Sequence, residues 1–507
     1  MKFLDVLGKV GALGLKGYSE YMLKDPLESQ IRLLGSILRK NRSTNFGKDH
    51  RFDEITSIQR FQANCPTAQY DAFKPYIDAI IAGTKNALTN RPLLFLAQTT
   101  GTTGTPKLIP VTTAMANQYN LGILRAASYY VASNPRENAR VTRGQWLYLP
   151  APALIKHLNG IPVGYITGLL ALPTGRQAWR FLVNHKLYTP PQLLNVKNLE
   201  AKYQIIAKDC ASRNITVITG ITPIVVNLME YLVKNAGVDG INTIFPNLQL
   251  AILSGVSPVL YETRLKKLVG PAFEYREVYA ASEGMLAIQT SARTGLVPLY
   301  DSIFFEFVPV NHSTEERLLL TQTRKGEEYS VLITTRSGLY AYEIGDIVKF
   351  VSEDPPAFTI SFRKNTIDLA GEKLTPMQAL AAIQQVNVAN NCMIIDFRAI
   401  GLFKPRSRYI FLIEFDPDST PRSYEAYLRD LDRALIELNG VYQDARTNKG
   451  TLVPPELWIL KEGTFHELEK EKLLASTATG QTKASHLSID QDLLGIFEDH
   501  VIDTKTI

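Results

Sequence analysis

The sequence predicts an α/β protein with a large amino-terminal domain and a smaller, mobile α+β domain at its carboxyl end. Between residues 145 and 284, short apolar runs alternate with helical stretches, the rhythm expected of an α/β sheet. From residue 303 to 350, closely spaced strand-like runs predict an antiparallel β unit. After "FTISFRKN" a helix and strand pattern begins again, so we place the two domains at residues 1–364 and 365–507.

Composition and charge narrow the class of protein. The chain has 507 residues, 45% hydrophobic and 21% charged, an ordinary balance for a globular protein with more than one domain. Its net charge is only +6 and its basic clusters are short and scattered, which argues against nucleic-acid binding. The three cysteines lie too far apart for a disulfide framework or a zinc site, and no apolar stretch approaches the roughly 20 residues that span a bilayer. We therefore expect a soluble, cytoplasmic protein with no membrane partner.

The first hundred residues read as helices. Charged residues interrupt the opening apolar run and no small-residue cleavage pattern follows, so this segment predicts an amphipathic helix rather than a signal peptide. The stretch "LESQIRLLGSILRKN" spaces Ile31, Leu34, Ile37 and Leu38 along one predicted helix face.

The strands follow in order. "QWLYLPAP", "NITVITGITP", "LQLAILSGVSP" and "YREVYAASEG" end in Gly, Ser, Thr or Pro, at the edge where open α/β sheets place ligands. "PIVVNLMEYLVKNAG" predicts a helix between them. The antiparallel unit is predicted from "IFFEFVPV", "RLLLTQT", "EYSVLITTR" and "GLYAYEIGDIVKFV". The small domain is predicted from helices at "TPMQALAAIQQV" and "SYEAYLRDLDRALIELNG" and strands at "CMIIDFRAI" and "RYIFLIEF".

The stretch "LLFLAQTTGTTGTPKLIPVTTAM", residues 93 to 115, joins two apolar runs through threonine and glycine. Gly101 and Gly104 allow a tight turn that points N–H groups into one concavity, as in phosphate cradles. Lys107 adds a cation able to reach a polyphosphate. The hydroxyl donors are Thr99, Thr100, Thr102, Thr103 and Thr105. This segment predicts an anion site; the alternative is a Thr/Gly-rich hairpin turn whose lysine lies in solvent.

The loop differs from the Walker A motif. That motif has Gly directly before its Lys and Ser or Thr directly after, to hold magnesium. Here Pro106 and Leu108 flank Lys107, so the sequence excludes the P-loop NTPases.

A second motif, "VYAASEG" at residues 278 to 284, lies at the end of a predicted strand. Tyr279 offers a ring face to a planar base, with Ala280 beside it, and Ser282 can form a hydrogen bond. Glu283 is a hard oxygen ligand suited to magnesium on a nucleotide. A strand-end turn with structural or solvated side chains is the alternative.

Two further motifs lie before the small domain. In "GLYAYEIGDIVKF", Asp346 follows Gly345 and could accept both hydroxyls of a ribose, although an ordinary Gly-Asp turn would look the same. In "FRKNTIDLAGEKLTP", Arg363 and Lys373 lie at the presumed domain junction. Cations on a hinge can move onto a phosphate when domains close, although most such residues simply face water.

Together and in this order, the four motifs resemble the adenylate-forming superfamily of acyl ligases. Within it, the chain most resembles the acyl-acid amido synthetases, the plant auxin- and jasmonate-conjugating enzymes and their bacterial relatives. The resemblance extends to residues 41 to 78 and to "GTFHELEKEKLLASTATGQTK" at residues 463 to 483, so it covers nearly the whole chain. It implies the adenylate-forming enzyme fold.

The resemblance also implies roles for residues of the large domain. The loop from Thr99 to Lys107 would bind the phosphates of ATP, with Lys107 taking part in catalysis. Tyr279 would pack on adenine beside Ala280 and Ser282. Glu283 would serve Mg²⁺, and Asp346 would hold the ribose.

In the hinge and the small domain, the resemblance assigns Arg363 and Lys373 to the nucleotide. It assigns a catalytic role to Lys483, in a Gln-x-Lys motif. The chain departs from the family pattern at two places. Ala341 stands where the family usually has the Arg of Tyr-Arg-Tyr, and Ser485 and His486 stand where Pro-Arg often follows Gln-x-Lys.

The implied reaction has two steps that use ATP and Mg²⁺. A carboxylic acid becomes an acyl-adenylate, and an amine, expected to be an amino acid, then forms an amide. Two alternatives stay open, namely a ligase that forms thioesters with coenzyme A or another thiol, and a nucleotide-binding homologue without catalysis. The segment "HLNGIPVGYITGLL", residues 157 to 170, would border the acyl pocket or be simply core and turn. The sequence leaves the acid, the amine and the oligomeric state open.

Overall fold

The computed structural model of the chain describes residues 2–99, 107–172, 186–196, 198–210, 212–255, 257–271, 273–291, 295–310, 316–363, 369, 374–403, 406–448, 451–468, 486–488 and 491–507. Contacts divide the chain into two compact units, a large one that runs to Thr359 and a small one that begins at Ile360. Among the described helices, none combines the length and the apolar character needed to cross a membrane.

The α-helices up to residue 363 surround and connect the strands. Their bounds are Lys2–Met22, Pro26–Asn41, Asn45–Asp49, Ile58–Asn64, Tyr70–Ile81, Thr113–Ser133, Ile166–Ala171, Leu199–Cys210, Thr222–Ala236, Ile241–Ile244 and Glu262–Val269.

The described strands up to residue 363 form two sheets. They are β1 (Leu93–Gln98), β2 (Leu108–Thr112), β3 (Gln145–Tyr148), β4 (Lys156–Leu158), β5 (Ile161–Gly164), β6 (Leu187–Tyr188), β7 (Ile215–Ile221), β8 (Leu250–Ser254), β9 (Glu274–Ala281), β10 (Gly284–Gln289), β11 (Leu296–Pro298), β12 (Phe304–Pro309), β13 (Glu328–Thr334), β14 (Tyr342–Glu353) and β15 (Pro356–Arg363).

The larger sheet has the order β12-β13-β14-β15-β11-β10-β9-β8-β7-β3-β6. Its β6, β3, β7, β8 and β9 pair in parallel, and the pairs from β9 through β10 to β11 and β15, and from β12 to β14, are antiparallel. The predicted α/β region and antiparallel unit are therefore two parts of one sheet. The smaller sheet has the order β2-β1-β5-β4.

The helix Pro26–Asn41 begins where the sequence directs. Pro26 occupies its first turn, and Asp25 caps it by accepting a hydrogen bond from the Glu28 amide at 2.9 Å. The predicted apolar face is wrong at Ile31, which is 44% exposed. Leu33 is buried instead, because the buried stripe of this helix runs through positions 30, 33, 34, 37, 38 and 41 and leaves position 31 outside it.

One predicted strand is absent from the structure. The run "RLLLTQT" forms an isolated bridge at Leu318 and then a 3₁₀ turn at Leu320–Gln322. Local side chains take the backbone groups that a ladder would use, because Gln322 Oε1 accepts from the Leu319 amide at 2.7 Å and Thr323 Oγ1 donates to the Leu320 carbonyl at 2.8 Å.

The small unit is an α+β structure. Its sheet has the order β19-β16-β17-β18-β20, with β16 (Ile394–Leu402), β17 (Arg408–Phe415), β18 (Glu456–Leu460), β19 (Leu487–Ser488) and β20 (Val501–Lys505). Its α-helices are Pro376–Ala389, Tyr424–Leu438, Gly440–Gln443 and Asp492–Glu498. Thr375 and Gln378 form a capping box at the first of these, with both hydrogen bonds at 3.1 Å.

Candidate active site

A mainly apolar cavity of about 240 Å³ lies at the carboxyl ends of the parallel strands β3, β7, β8 and β9. Leu149, Gly220 and Ser254 line it from the ends of the first three strands. Tyr119 and Ile123 line it from the helix Thr113–Ser133. This is the edge at which open α/β sheets bind ligands, so the cavity is the candidate substrate pocket.

The segment at residues 157 to 170 borders this cavity. Thr167 and Leu170 line it directly, and the Tyr148 hydroxyl donates to the Thr167 carbonyl at 2.9 Å. The segment is thus both packed structure and pocket wall, while its contact with an acyl group stays a prediction.

Tyr279 and Asp346 come together although their motifs are far apart in sequence. The Tyr279 hydroxyl donates to Asp346 Oδ2, and the two residues are only 2% and 1% exposed. The local reason is a bulge in β14. Ser330 pairs with Ile347, whereas Leu332 pairs with Glu343, so extra residues of β14 are accommodated there, and Gly345 adopts φ +84°. The bulge accounts for the Gly-Asp signature.

Glu283 lies in the turn between β9 and β10 and is 7% exposed. The Tyr342 hydroxyl, from β14, donates to Glu283 Oε1 at 3.3 Å. Two tyrosine–carboxylate hydrogen bonds therefore join the β9–β10 region to β14. Each of these two segments supplies one tyrosine and one carboxylate. Ser282 is buried beside Glu283, and Ala280 lines the cavity.

The loop of the first motif is framed by an antiparallel hairpin. Gln98 of β1 pairs with Leu108 of β2, and the Thr99 amide donates to the Lys107 carbonyl at 2.9 Å. The Lys107 amide in turn donates to Thr99 Oγ1 at 3.1 Å. Lys107 Nζ lies 5.8 Å from the ring centroid of Tyr70, within cation–π range. The predicted ligands Thr100, Gly101, Thr102, Thr103 and Gly104 lie outside the described residues.

The hinge and small-domain predictions are only partly covered by the structure. Arg363 is the last residue of β15, and its side chain lies outside what the structure describes. Lys373, Lys483 and Ser485 also lie outside the described residues. Their proposed roles stay predictions.

His486, which stands where the family often has Arg, is packed into the small unit. Its ring stacks on Phe397 with centroids 4.8 Å apart, and its Nδ1 lies 3.0 Å from the Phe397 carbonyl oxygen. Burial lowers the pKa of His486, and Arg398 lowers it further, while Asp396 opposes both. The position therefore carries a neutral imidazole at neutral pH instead of a cation.

Ala341, the other departure, is fully buried and has φ +45°. Its amide donates to Thr334 Oγ1 at 2.8 Å, and its carbonyl accepts from the Ala68 amide at 3.1 Å. Its neighbour Tyr340 stacks on Phe46, with centroids 4.6 Å apart. This part of the motif thus anchors the amino-terminal segment to the sheet.

Tyr119 is a site residue that no sequence motif marks. It lines the cavity, and its buried hydroxyl donates no hydrogen bond in the described part of the chain. Burial raises the pKa of Tyr119 well above its usual value, with Glu283 and Tyr148 adding to the effect and the Gly284 amide offsetting it in part. The hydroxyl stays protonated and can donate to a ligand. In sequence, Tyr119 looks like any core aromatic of a helix.

No group of three or more His, Cys, Asp or Glu side chains that could hold a metal occurs in the ranges that the structure describes. Glu283 offers a carboxylate at this edge. Such a donor suits a magnesium ion that takes most of its ligands from phosphates and water.

Known proteins resemble the chain over nearly its full length. Models of the GH3 family match in order, with the N-terminal domain at residues 18–236, the central domain at 296–363 and the C-terminal domain at 377–492. The chain is 22% identical to the indole-3-acetic acid-amido synthetase GH3.10 of Arabidopsis thaliana, over 96% of each protein.

Two solved structures share the fold. One is the AtGH3.15 acyl acid amido synthetase in complex with 2,4-DB, with a TM-score of 0.78 and 18% identity, covering 96% of this chain and 97% of that one. The other is a 2-hydroxyisobutyryl-CoA ligase in its postadenylation state, with a TM-score of 0.56 and 11% identity, covering 88% and 92%. The predicted fold, a large α/β domain followed by a smaller domain, is confirmed.

Proposed function

Because this chain belongs to the GH3 family, as its three matching domain models show, we propose that it is an ATP-dependent acyl-acid amido synthetase. It would activate a carboxylic acid as the acyl-adenylate and transfer the acyl group to an amine, an amino acid by analogy with its relatives. The observation that carries the proposal is the pair of buried tyrosine–carboxylate contacts, Tyr279 with Asp346 and Glu283 with Tyr342, next to an apolar cavity.

Asp346 is proposed to hold the ribose. Carboxylate oxygens accept hydrogen bonds from hydroxyl groups, so Asp346 would accept the two hydroxyls of a ribose. Tyr279 donates to Oδ2 and so fixes the orientation of the carboxylate. Ala280 and Ser282, at the same strand end, would lie along the base, while Tyr279, which is 2% exposed, would act by positioning Asp346.

The hairpin of β1 and β2 is proposed to hold the polyphosphate. Thr99 and Lys107 are joined by reciprocal hydrogen bonds, which hold together the two residues that flank the loop. Residues 100–104 would offer N–H and hydroxyl donors to the phosphates, and Lys107 a positive charge. Arg363, Lys373 and Lys483 are proposed to add cations from the hinge and the small domain.

Glu283 is proposed to bind Mg²⁺ together with the phosphates of ATP. The fit rests on its buried carboxylate, oriented by the Tyr342 hydroxyl. When bound, the ion would neutralise charge on the phosphates.

The chemistry balances in two steps. First, a carboxylate oxygen of the acid bonds to the α-phosphorus of ATP while the bond to the leaving pyrophosphate breaks. Then the amine nitrogen bonds to the acyl carbon, the bond to AMP breaks, and the amine loses a proton. The described residues contribute positioning: the cavity holds the acyl group away from water, and the Tyr119 hydroxyl can donate to its carboxylate.

The test is ATP–pyrophosphate exchange with a panel of carboxylic acids. Acid-dependent exchange is expected for the parent protein, and almost none for Asp346→Ala. The adenylate is then offered amino acids and coenzyme A in parallel, and an amide is expected. A thioester without an amide would favour the alternative ligase, while ATP binding without exchange for any acid would favour a nucleotide-binding homologue.

A cytoplasmic location is also proposed. Cys65, Cys210 and Cys392 are buried and free, which suits a reducing compartment. The partners would be small acids and amino acids rather than nucleic acids or membranes. Cell fractionation checks this.

A further inference from the structure

A second cavity, of about 380 Å³, lies in the large unit on another side of the helix Thr113–Ser133. Asn117 and Leu121 line it from the helix, whereas Tyr119 and Ile123 line the candidate substrate pocket. Residues four apart share a helix face and residues two apart do not. The second cavity is therefore separate from the pocket, with the helix as the wall between them.

The second cavity carries two arginines, Arg91 and Arg336. Both are half-buried, and neither makes an ion pair with a carboxylate in the described part of the chain. The carboxylate on the lining, Asp301, already forms an ion pair with another arginine. Arg125 binds both of its oxygens, with Nη1 to Oδ1 at 3.0 Å and Nη2 to Oδ2 at 2.5 Å.

This arrangement leaves two half-buried guanidinium groups without an ion-pair partner among the described residues. Burial lowers the pKa of Arg336, and repulsion from Arg91 lowers it further, while Asp301 and Tyr18 oppose the shift. Two guanidinium groups that repel each other without a counter-ion raise the free energy of the folded protein. An anion between them would remove that cost.

An independent observation also points to a ligand. Asn117 lines the same cavity, and its Oδ1 is buried without a hydrogen-bond partner among the described residues. An unsatisfied buried amide oxygen costs free energy. A ligand in this cavity could satisfy the polar side chain of Asn117. Tyr18 is 48% exposed on the cavity lining, so a small solute can reach the site from the surface.

We propose that this cavity is a binding site for a small oxyanion, held by the Arg91 and Arg336 guanidinium groups and by the Asn117 amide. Guanidinium groups match carboxylate and phosphate oxygens with two parallel hydrogen bonds each. The chemistry fits inorganic phosphate and the carboxylates of a small organic acid alike.

The experiment measures binding of inorganic phosphate and of succinate to the full chain by calorimetry, at constant ionic strength set with chloride. Saturating AMP is present, so that the proposed nucleotide site is already filled. The parent protein is expected to bind at least one of the two, and whichever binds more tightly identifies the source of the oxyanion. Arg336→Gln is expected to weaken that binding by roughly tenfold or more, because it removes a charged hydrogen-bonding group.

Two more variants make the result decisive. Arg91→Gln should weaken the same anion similarly, and it keeps the test valid if Arg336→Gln folds poorly. Arg324→Gln removes the same charge at an exposed position outside both cavities and should bind like the parent. Equal binding by all four proteins, or no binding of either anion by the parent, would overturn the proposal. AMP binding of each variant is read separately, so a failure of the nucleotide site is distinguishable.

Discussion

Asp346 and Glu283 are two buried carboxylates whose replacement should affect nucleotide binding in different ways. Asp346→Asn keeps the side-chain volume and still offers an oxygen to the Tyr279 hydroxyl, so the fold should be retained. What disappears is the charge that would accept the ribose hydroxyls. AMP and ATP both carry the ribose, so both should bind more weakly. Glu283→Gln keeps the oxygen that accepts from Tyr342. This variant should slow only the magnesium-dependent adenylation step.

The expected loss of AMP affinity in Asp346→Asn is that of a hydrogen bond to a buried charge, because Asp346 is 1% exposed. A hydrogen bond to a charged group contributes about 1.5–3 kcal/mol. Since about 1.4 kcal/mol is a factor of ten in affinity, one such bond corresponds to a rise of about 10- to 150-fold in the Kd of AMP. The Kd of ATP should rise by the same factor. For Glu283→Gln, the Kd of AMP should stay within about twofold, while adenylation slows about tenfold or more and recovers in part with added magnesium.

The assay is calorimetric titration of AMP and ATP without magnesium, followed by pyrophosphate exchange across a magnesium series. Glu343→Gln is the matched control, because it removes a carboxylate from the same strand whose oxygens accept from Gln69 and Ser330 at 3.0 Å each. This control should bind AMP like the parent. The division of roles is wrong if both site variants lose AMP affinity equally, or if Asp346→Asn binds AMP normally.

Three further outcomes are expected. Arg125→Met should lower the free energy of unfolding in urea by about 3–5 kcal/mol, because it leaves the buried Asp301 carboxylate, which is 4% exposed, without its arginine. If the double variant Arg125→Met, Asp301→Leu is no more stable than Arg125→Met alone, loss of the ion pair is not the cause. Burial raises the pKa of Glu277 from its ordinary value of 4.5 to about 7, and the hydrogen bond from Ser257 opposes this shift only in part. Between these two pH values the folded protein therefore keeps a proton on Glu277 that the unfolded chain has released. Stability should fall between pH 4.5 and 7 by about 2–3 kcal/mol, and Glu277→Gln should remove this slope; an unchanged slope would refute the assignment. Tyr119→Phe should raise the KM for the acid about tenfold, with ATP binding unchanged, and an unchanged KM would exclude Tyr119 as a donor to the acid.

Local sequence patterns predict much of the fold. The strands at 215–221 and 250–254 are predicted because they are short, apolar and bounded by turn residues, and both are buried parallel strands in the structure. The run at 317–323 has a similar composition, but side-chain hydrogen bonds from Gln322 and Thr323 end the ladder there. Such competition depends on side-chain geometry, which apolar spacing does not report.

The candidate site shows the same division. The Gly-Asp and strand-end motifs could be found as separate signals, and the family resemblance suggested a common ligand. The direct contact of Tyr279 with Asp346 needs the bulge of β14 and the sheet order, neither of which is local in sequence. Tyr119 could not be found, because only the packing of its helix distinguishes it from other buried tyrosines. The second cavity could not be predicted either, because Arg91 and Arg336 are far apart in the chain.

The helix Thr113–Ser133, as the wall between two cavities, makes each a potential effector site for the other. Gln118 lines the second cavity and also binds Met285, which lines the substrate pocket, through the Met285 amide at 3.2 Å. A ligand that shifts this side chain in one cavity changes the shape of the other. Thermodynamic linkage then requires reciprocity: if the anion changes the affinity for the acid by some factor, the acid changes the affinity for the anion by the same factor.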